Sequence, residues 1–211
     1  MTATLSIDAV MALAPVIPVL VIDDVRQAAP LAEALVAGGI CALEVTLRTP
    51  AALEAITEMA SVPGAVVGAG TVLNGAQLDA AMKAGARFIV SPGLTEGLAR
   101  SAANSGAPLL PGVQTATDIM HGLDLGLERF KFFPAESSGG AAALKALTGP
   151  FGGVKFCPTG GITPETAPHY LAIPQVVSVG GSWLAPRDAV AAGAWARISA
   201  LARAASDLKG M

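Results

Sequence analysis

A lysine stands at the centre of the segment Arg129-Phe130-Lys131-Phe132-Phe133-Pro134-Ala135-Glu136. Side chains alternate between the faces of a strand, so Phe130 and Phe132 share one face and Lys131 and Phe133 the other. An amine among aromatic rings is costly to bury. Two readings compete. Either the amine is an uncharged nucleophile aimed at a carbonyl, or its stem packs while its charge reaches water. The same alternation along Cys41-Ala42-Leu43-Glu44-Val45-Thr46-Leu47-Arg48 sends Leu43, Val45 and Leu47 outward and leaves Glu44, Thr46 and Arg48 on an inner face. A carboxylate there is either functional or one half of a buried ion pair with Arg48 or Lys131.

The other candidates narrow the chemistry. Of the five lysines, Lys83 and Lys145 fall in helical segments, Lys209 is in the tail, and Lys155 lies near the start of a strand. Lys131 is the one placed well inside a strand near its carboxyl end. His121 and His169 both fall in helical segments. No His/Asp/Glu cluster has metal-ligand spacing, and no Ser-His or Cys-His pair suggests a hydrolase. An amine with one carboxylate points to Schiff-base chemistry, in which an iminium accepts the electrons of a breaking bond. Two glycine pairs, Gly160-Gly161 and Gly180-Gly181-Ser182, let backbone N–H groups approach an anion closely, which favours a phosphorylated substrate over simple turns.

The elements that must position these residues recur regularly. Apolar strand-like runs begin near Val16, Cys41, Ala65, Ala86, Pro108, Arg129, Val154 and Gln175, at intervals of 21 to 25 residues. Each is followed by a Gly, Pro, Ser or Thr cluster and a helical segment, for example residues 24–36, 50–60, 75–84 and 188–208. Gly38-Gly39, Gly85 and Gly106 stop three of these helices. Eight strand–helix units predict a single (β/α)8 TIM barrel domain over residues 1–211, with an extra amphipathic helix in residues 1–14 covering its bottom. An open doubly wound sheet is the weaker alternative, because no Gly-x-Gly-x-x-Gly turn follows the first strand. The active site of such a barrel lies at the carboxyl ends of the strands. The third strand ends in Gly68-Ala69-Gly70-Thr71, where small residues leave room for a ligand. Either Thr71 or Asn74 can cap the helix beyond. Ser91-Pro92-Gly93 and Pro111-Gly112-Val113-Gln114 end the next two.

Composition excludes several functions. The net charge of −3 leaves no footprint for nucleic acid. The longest apolar run, residues 9–22, is too short to span a membrane and is broken by Pro15 and Pro18. Residues 1–14 lack the basic start of a signal peptide. Cys41 and Cys157 form no disulfide framework or zinc pattern, which suits a reducing, cytoplasmic setting. Only 14 % of the residues are charged while 53 % are hydrophobic, so an oligomer that covers apolar surface is expected.

Four segments carry a specific resemblance: Leu43-Glu44-Val45-Thr46-Leu47-Arg48-Thr49, Gly68-Ala69-Gly70-Thr71-Val72-Leu73, Phe130-Lys131-Phe132-Phe133-Pro134-Ala135-Glu136 and Cys157-Pro158-Thr159-Gly160-Gly161-Ile162. Together they resemble the bacterial 2-keto-3-deoxy-6-phosphogluconate (KDPG) aldolases, over nearly the whole chain from about Pro15. The resemblance implies a class I aldolase of the Entner–Doudoroff pathway, without metal or cofactor and typically a homotrimer. Its substrate is a phosphorylated 2-keto acid, cleaved to pyruvate and glyceraldehyde 3-phosphate, and 4-hydroxy-2-oxoglutarate (KHG) is often a second substrate. It further implies that Lys131 forms the Schiff base and Glu44 moves protons. Arg48, Thr71, Pro92 and Phe133 would surround the pyruvate end. Thr159 would contact the sugar, and Gly160, Gly161, Gly180, Gly181 and Ser182 the phosphate. The galactonate-series aldolase, a phosphate-binding isomerase on the same fold and a non-catalytic sugar-phosphate binder are the rival readings. Joint retention of Glu44, Arg48 and Lys131 argues against the last.

Overall fold

A computed structural model describes residues 5–210. The first helix, α1 (Ile7–Met11), is capped by Ser6, whose side chain accepts the N–H of Ala9. It is shorter than the segment expected over residues 1–14, of which residues 1–4 lie outside the described residues. Nine strands follow: β1 (Val16–Leu20), β2 (Ala42–Thr46), β3 (Val66–Gly70), β4 (Ile89–Val90), β5 (Leu109–Leu110), β6 (Gly112–Val113), β7 (Arg129–Phe132), β8 (Lys155–Phe156) and β9 (Val179–Gly181). Between and after them run α2 (Ala28–Ala37), α3 (Ala52–Ala60), α4 (Gly75–Lys83), α5 (Glu96–Ser105), α6 (Ala116–Asp124), α7 (Gly140–Thr148), α8 (Ala167–Leu171), α9 (Arg187–Ala191) and α10 (Trp195–Ser206).

Each of the eight expected runs contains strand. The fifth divides into β5 and β6 because Pro111 has no N–H to give the ladder. At that point the chain also changes neighbours: β5 pairs with β4, and β6 pairs with β7. The helix expected over residues 188–208 is likewise two helices, α9 and α10. Gly193 between them takes a φ of +61° that continues neither. Gly106 ends α5 in the left-handed conformation at φ 69°, and Asn74, not Thr71, caps α4.

Every strand pairing is parallel. One set of neighbours reads β5-β4-β3-β2-β1-β9 and the other β6-β7-β8, and isolated bridges join Phe156 to Val176 and Thr159 to Gly180. The result is a curled parallel sheet with helices outside. Leu43, Val45, Phe130 and Phe132 face those helices in the outer core. The inner face holds a second apolar cluster, in which Val10 and Met11 of α1 pack with Ile17, Ala42, Phe88, Val90, Leu110 and Cys157. An ion pair from Asp8 to Arg129 also ties α1 to β7. Among the described residues no helix is long and apolar enough to cross a membrane.

The inner cluster depends on a missing side chain. A Cβ on Gly68 would stand 2.4 Å from the ring of Phe88, which is fully buried. Gly68→Ala is expected to cost about 1–3 kcal/mol of stability through overpacking. Thermal melting of Gly68→Ala and of Gly68→Ala/Phe88→Leu checks this: the smaller second side chain should recover part of the loss.

Candidate active site

Strand register brings the chemistry together. Glu44, at the middle of β2, lies beside Val19 of β1 and Gly68 of β3. Lys131 comes from β7, beside Gly112 of β6. The curl of the sheet points both side chains into the same interior, where Lys131 Nζ donates to Glu44 Oε1 over 3.2 Å. Both residues are buried, at 5 % and 3 % exposure. The ammonium also lies 5.3 Å from the centre of the Phe133 ring, within cation–π range. The lysine's charge therefore does not reach water, as the structural alternative required. It is held by one carboxylate and one aromatic face.

This pair forms part of the wall of a cavity of about 210 Å³. Thr46, Arg48 and Thr71 line one side of it, and Pro92 and Phe133 another. Thr159, Gly160, Gly161, Gly180 and Ser182 line the rest. Every residue expected in the site is there except Gly181. A Cβ on Gly181 would meet the indole of Trp183 at 2.0 Å, so that face of the glycine is covered by a side chain. Val19 and Ile162 also line the cavity. The alternation that places Ile17 inside also points Val19 inward, so the sequence held a signal for it. Glu136, the other carboxylate of the lysine segment, is not among the lining residues; it accepts a hydrogen bond from Tyr170 instead.

Three local features explain the cavity's shape. A Cβ on Gly70 would fall 2.2 Å from Glu44 Oε1. The small residues ending β3 thus make room for the protein's own carboxylate, and not directly for a ligand. Gly180 does the same for Thr159, whose Oγ1 would be 2.1 Å from an added Cβ. Thr71 adopts φ 60°, an outlier for a β-branched residue, and such strain concentrates at functional sites. Gly160 and Gly161 also have positive φ, at 108° and 79°. Among the described residues the N–H groups of Gly160, Gly161 and Ser182 have no protein acceptor, which leaves them available to an anion. Arg48 is exposed at the mouth of the cavity, with no ion-pair partner among the described residues.

Cys157 lies on the inner face below Thr159. Burial pushes its thiol up to about 11, partly offset by the nearby Ser178 hydroxyl and the Lys131 charge. It stays a neutral thiol at working pH, so it does not compete with the amine as a nucleophile.

A buried amine in contact with a carboxylate, opening onto a guanidinium and free N–H groups at the carboxyl ends of parallel strands, suits covalent catalysis on an anionic carbonyl compound. The comparisons give that class a family. The chain belongs to the KDPG and KHG aldolase family, whose model matches residues 7–201. It is 61 % identical over 203 residues to the 2-dehydro-3-deoxy-phosphogluconate aldolase of Zymomonas mobilis, covering 96 % of each chain. A crystal structure of the Z. mobilis ZM4 KDPG aldolase with 3-phosphoglycerate superposes with a TM-score of 0.93 at 60 % identity, covering 98 % of both chains. The Legionella pneumophila KDPG aldolase, with pyruvate captured as a covalent carbinolamine, superposes at 0.91 with 48 % identity, covering 94 % of this chain and 97 % of that one.

Gly70→Ala should push the Glu44 carboxylate out of hydrogen-bond reach of Lys131 while the sheet around it persists. A crystal structure of the variant checks this; an unchanged Nζ–Oε1 contact would mean that Gly70 does not set the pair.

Proposed function

We propose that this protein is a Schiff-base aldolase. It cleaves 2-keto-3-deoxy-6-phosphogluconate to pyruvate and glyceraldehyde 3-phosphate, and 4-hydroxy-2-oxoglutarate to pyruvate and glyoxylate. The observation that carries this reading is the 3.2 Å contact between Lys131 and Glu44 inside a cavity open to Arg48. Family membership and the pyruvate carbinolamine of the L. pneumophila relative support it.

The steps follow from the arrangement. A proton leaves Nζ, and Glu44 at 3.2 Å is the group placed to take it. The amine adds to the C2 ketone, giving a carbinolamine; Glu44 returns its proton to the carbinolamine hydroxyl, which leaves as water, so that a cationic iminium and an ionised Glu44 remain. Glu44, directly or through a water, then takes the proton of the C4 hydroxyl. The C3–C4 bond breaks, its electrons pass into the iminium to form an enamine, and the aldehyde departs. Protonation at C3 and hydrolysis release pyruvate and return the amine. Arg48 offers a planar fork for the substrate carboxylate. Phe133 packs against the pyruvate end, with Thr71 and Pro92 beside it, and Thr159 meets the sugar hydroxyls. The N–H groups of Gly160, Gly161 and Ser182, with the Gly180-Gly181 strand end behind them, receive the phosphate. The 3-phosphoglycerate bound to the Z. mobilis relative, itself a phosphorylated carboxylate, is in keeping with that division. Binding energy from the phosphate holds the reacting carbons at the amine.

The reading extends to the molecule as a whole. The curled sheet is taken to be a closed (β/α)8 barrel and the chain one domain, consistent with the bridges from Thr159 to Gly180 and from Phe156 to Val176. A homotrimer would cover exposed apolar side chains such as Leu73 and Met120, at 54 % and 58 % exposure. Two free cysteines suit the cytoplasm.

Borohydride added with pyruvate should fix a reduced pyruvate unit on the peptide containing Lys131, and Lys131→Ala should abolish it. Glu44→Gln should slow cleavage and pyruvate methyl proton exchange by about 10²- to 10⁴-fold. Label on another lysine, or near-normal cleavage in a folded Glu44→Gln variant, would remove the assignment.

The phosphate end is best tested at Ser182. Substitution at Gly161 would force a side chain onto Glu136, 2.8 Å away, whereas Ser182 is exposed and already carries a Cβ. Ser182→Asp should raise KM for the phosphorylated acid at least about tenfold by like-charge repulsion. Trapping of pyruvate should be unchanged. Equal weakening of both would move the phosphate elsewhere.

A further inference from the structure

Outside the cavity, the side chain of Glu136 runs beneath the Gly160–Gly161 turn. Ala135 and Glu136 donate their N–H groups to the carbonyls of Thr159 and Gly160, over 2.8 and 3.0 Å, so the two backbones lie side by side. A Cβ on Gly161 would stand 2.8 Å from Glu136 Cβ and 2.9 Å from its Cγ. The glutamate stem therefore passes directly against the turn. Beyond it, Glu136 Oε1 accepts a hydrogen bond of 2.7 Å from the hydroxyl of Tyr170. Tyr170 is 1 % exposed and belongs to α8, the helix entered after the glycine turn.

We propose that Tyr170 is a positioning residue for the anion end of the site: its hydroxyl holds the Glu136 carboxylate behind the Gly160–Gly161 turn, so that the turn's N–H groups stay free for the substrate's phosphoryl group. This rests on the reading of Gly160, Gly161 and Ser182 as the phosphate site. Backbone N–H groups gathered in a turn bind any anion that reaches them. Glu136 brings a carboxylate on a flexible stem against this turn. Released from Tyr170, it would compete for the same donors or repel the incoming dianion. The hold is one-sided by chemistry, because an ionised carboxylate only accepts and a phenol can donate. Burial, then the hydrogen bond and charge of Glu136, push the phenol well above its ordinary range, so it keeps the proton it donates.

The test measures KM and kcat for the phosphorylated 2-keto-3-deoxy acid, together with pyruvate methyl proton exchange, in Tyr170→Phe, Glu136→Gln and the double variant. Tyr170→Phe should raise KM about three- to tenfold, the worth of one hydrogen bond, with kcat and exchange held within about twofold. Glu136→Gln should not raise KM, because its amide oxygen still accepts from Tyr170 and carries no charge. The double variant should return close to the wild-type KM, since the freed side chain no longer competes as an anion. A double variant as weak as Tyr170→Phe, or exchange that falls in step with binding, would reduce the bond to a packing role and overturn the proposal. If Tyr170→Phe does not fold, a raised KM in Glu136→Gln alone overturns it. Ser182→Asp measured alongside separates the two readings. If it raises KM and Tyr170→Phe does not, only the positioning role fails; if neither does, the phosphate site itself is misplaced.

Discussion

The contact between Lys131 and Glu44 constrains the rest of the molecule. Two opposite charges buried at 5 % and 3 % exposure gain little net stability, since their attraction is offset by the water each has lost. Their surroundings are arranged to keep them together. Gly70 gives up its side chain where the carboxylate lies, and the Phe133 ring covers the ammonium. A hydrophobic pair of similar volume would serve stability as well or better. The cost of the ion pair is therefore best understood through the proposed reaction, in which the same two groups would exchange a proton and share the work of breaking a carbon–carbon bond.

Much of this was legible in the sequence, because the signals were local. The apolar runs, their regular spacing and the Gly and Pro punctuation located each strand-bearing run. Alternation along Cys41 to Arg48 and along Arg129 to Phe133 sorted inward from outward side chains correctly. The ladders are shorter than the apolar runs for a physical reason. Pro92, Pro111 and Pro158 stand at or just beyond the ends of β4, β5 and β8, and proline cannot extend a ladder from its nitrogen.

What stayed hidden depends on contacts between distant segments. No spacing rule links Gly70 to Glu44, so the small residues of β3 read as space for a ligand. Gly181 read as part of an anion loop by its pairing with Gly180, and only the fold lays the Trp183 ring across it. The bond from Tyr170 to Glu136 spans 34 positions and joins a helix to a loop, with no periodicity to announce it. Glycine was the recurring source of ambiguity. The same residue type marks a helix stop at Gly106, a seat for a side chain at Gly70 and a turn with free donors at Gly160 and Gly161.

The arrangement of charge inside the sheet also explains why the chemistry sits where it does. Below the pair, Val10 and Met11 of α1 close the interior with Phe88 and Leu110, so the lower end is filled by side chains. The neutral thiol of Cys157 adds no charge there. Above the pair, the cavity opens toward Arg48 and toward N–H groups without protein acceptors. Arg48 and these free N–H groups thus lie on the open side of the pair. In the proposed reaction, a substrate with a carboxylate at one end and a phosphate at the other would meet complementary groups at both and bring its ketone to Lys131 between them. The apolar floor keeps water from the amine on one side, and the substrate itself displaces it on the other. In the proposed reaction the ion pair then has no competing solvent, and proton transfer between its members becomes part of the reaction coordinate.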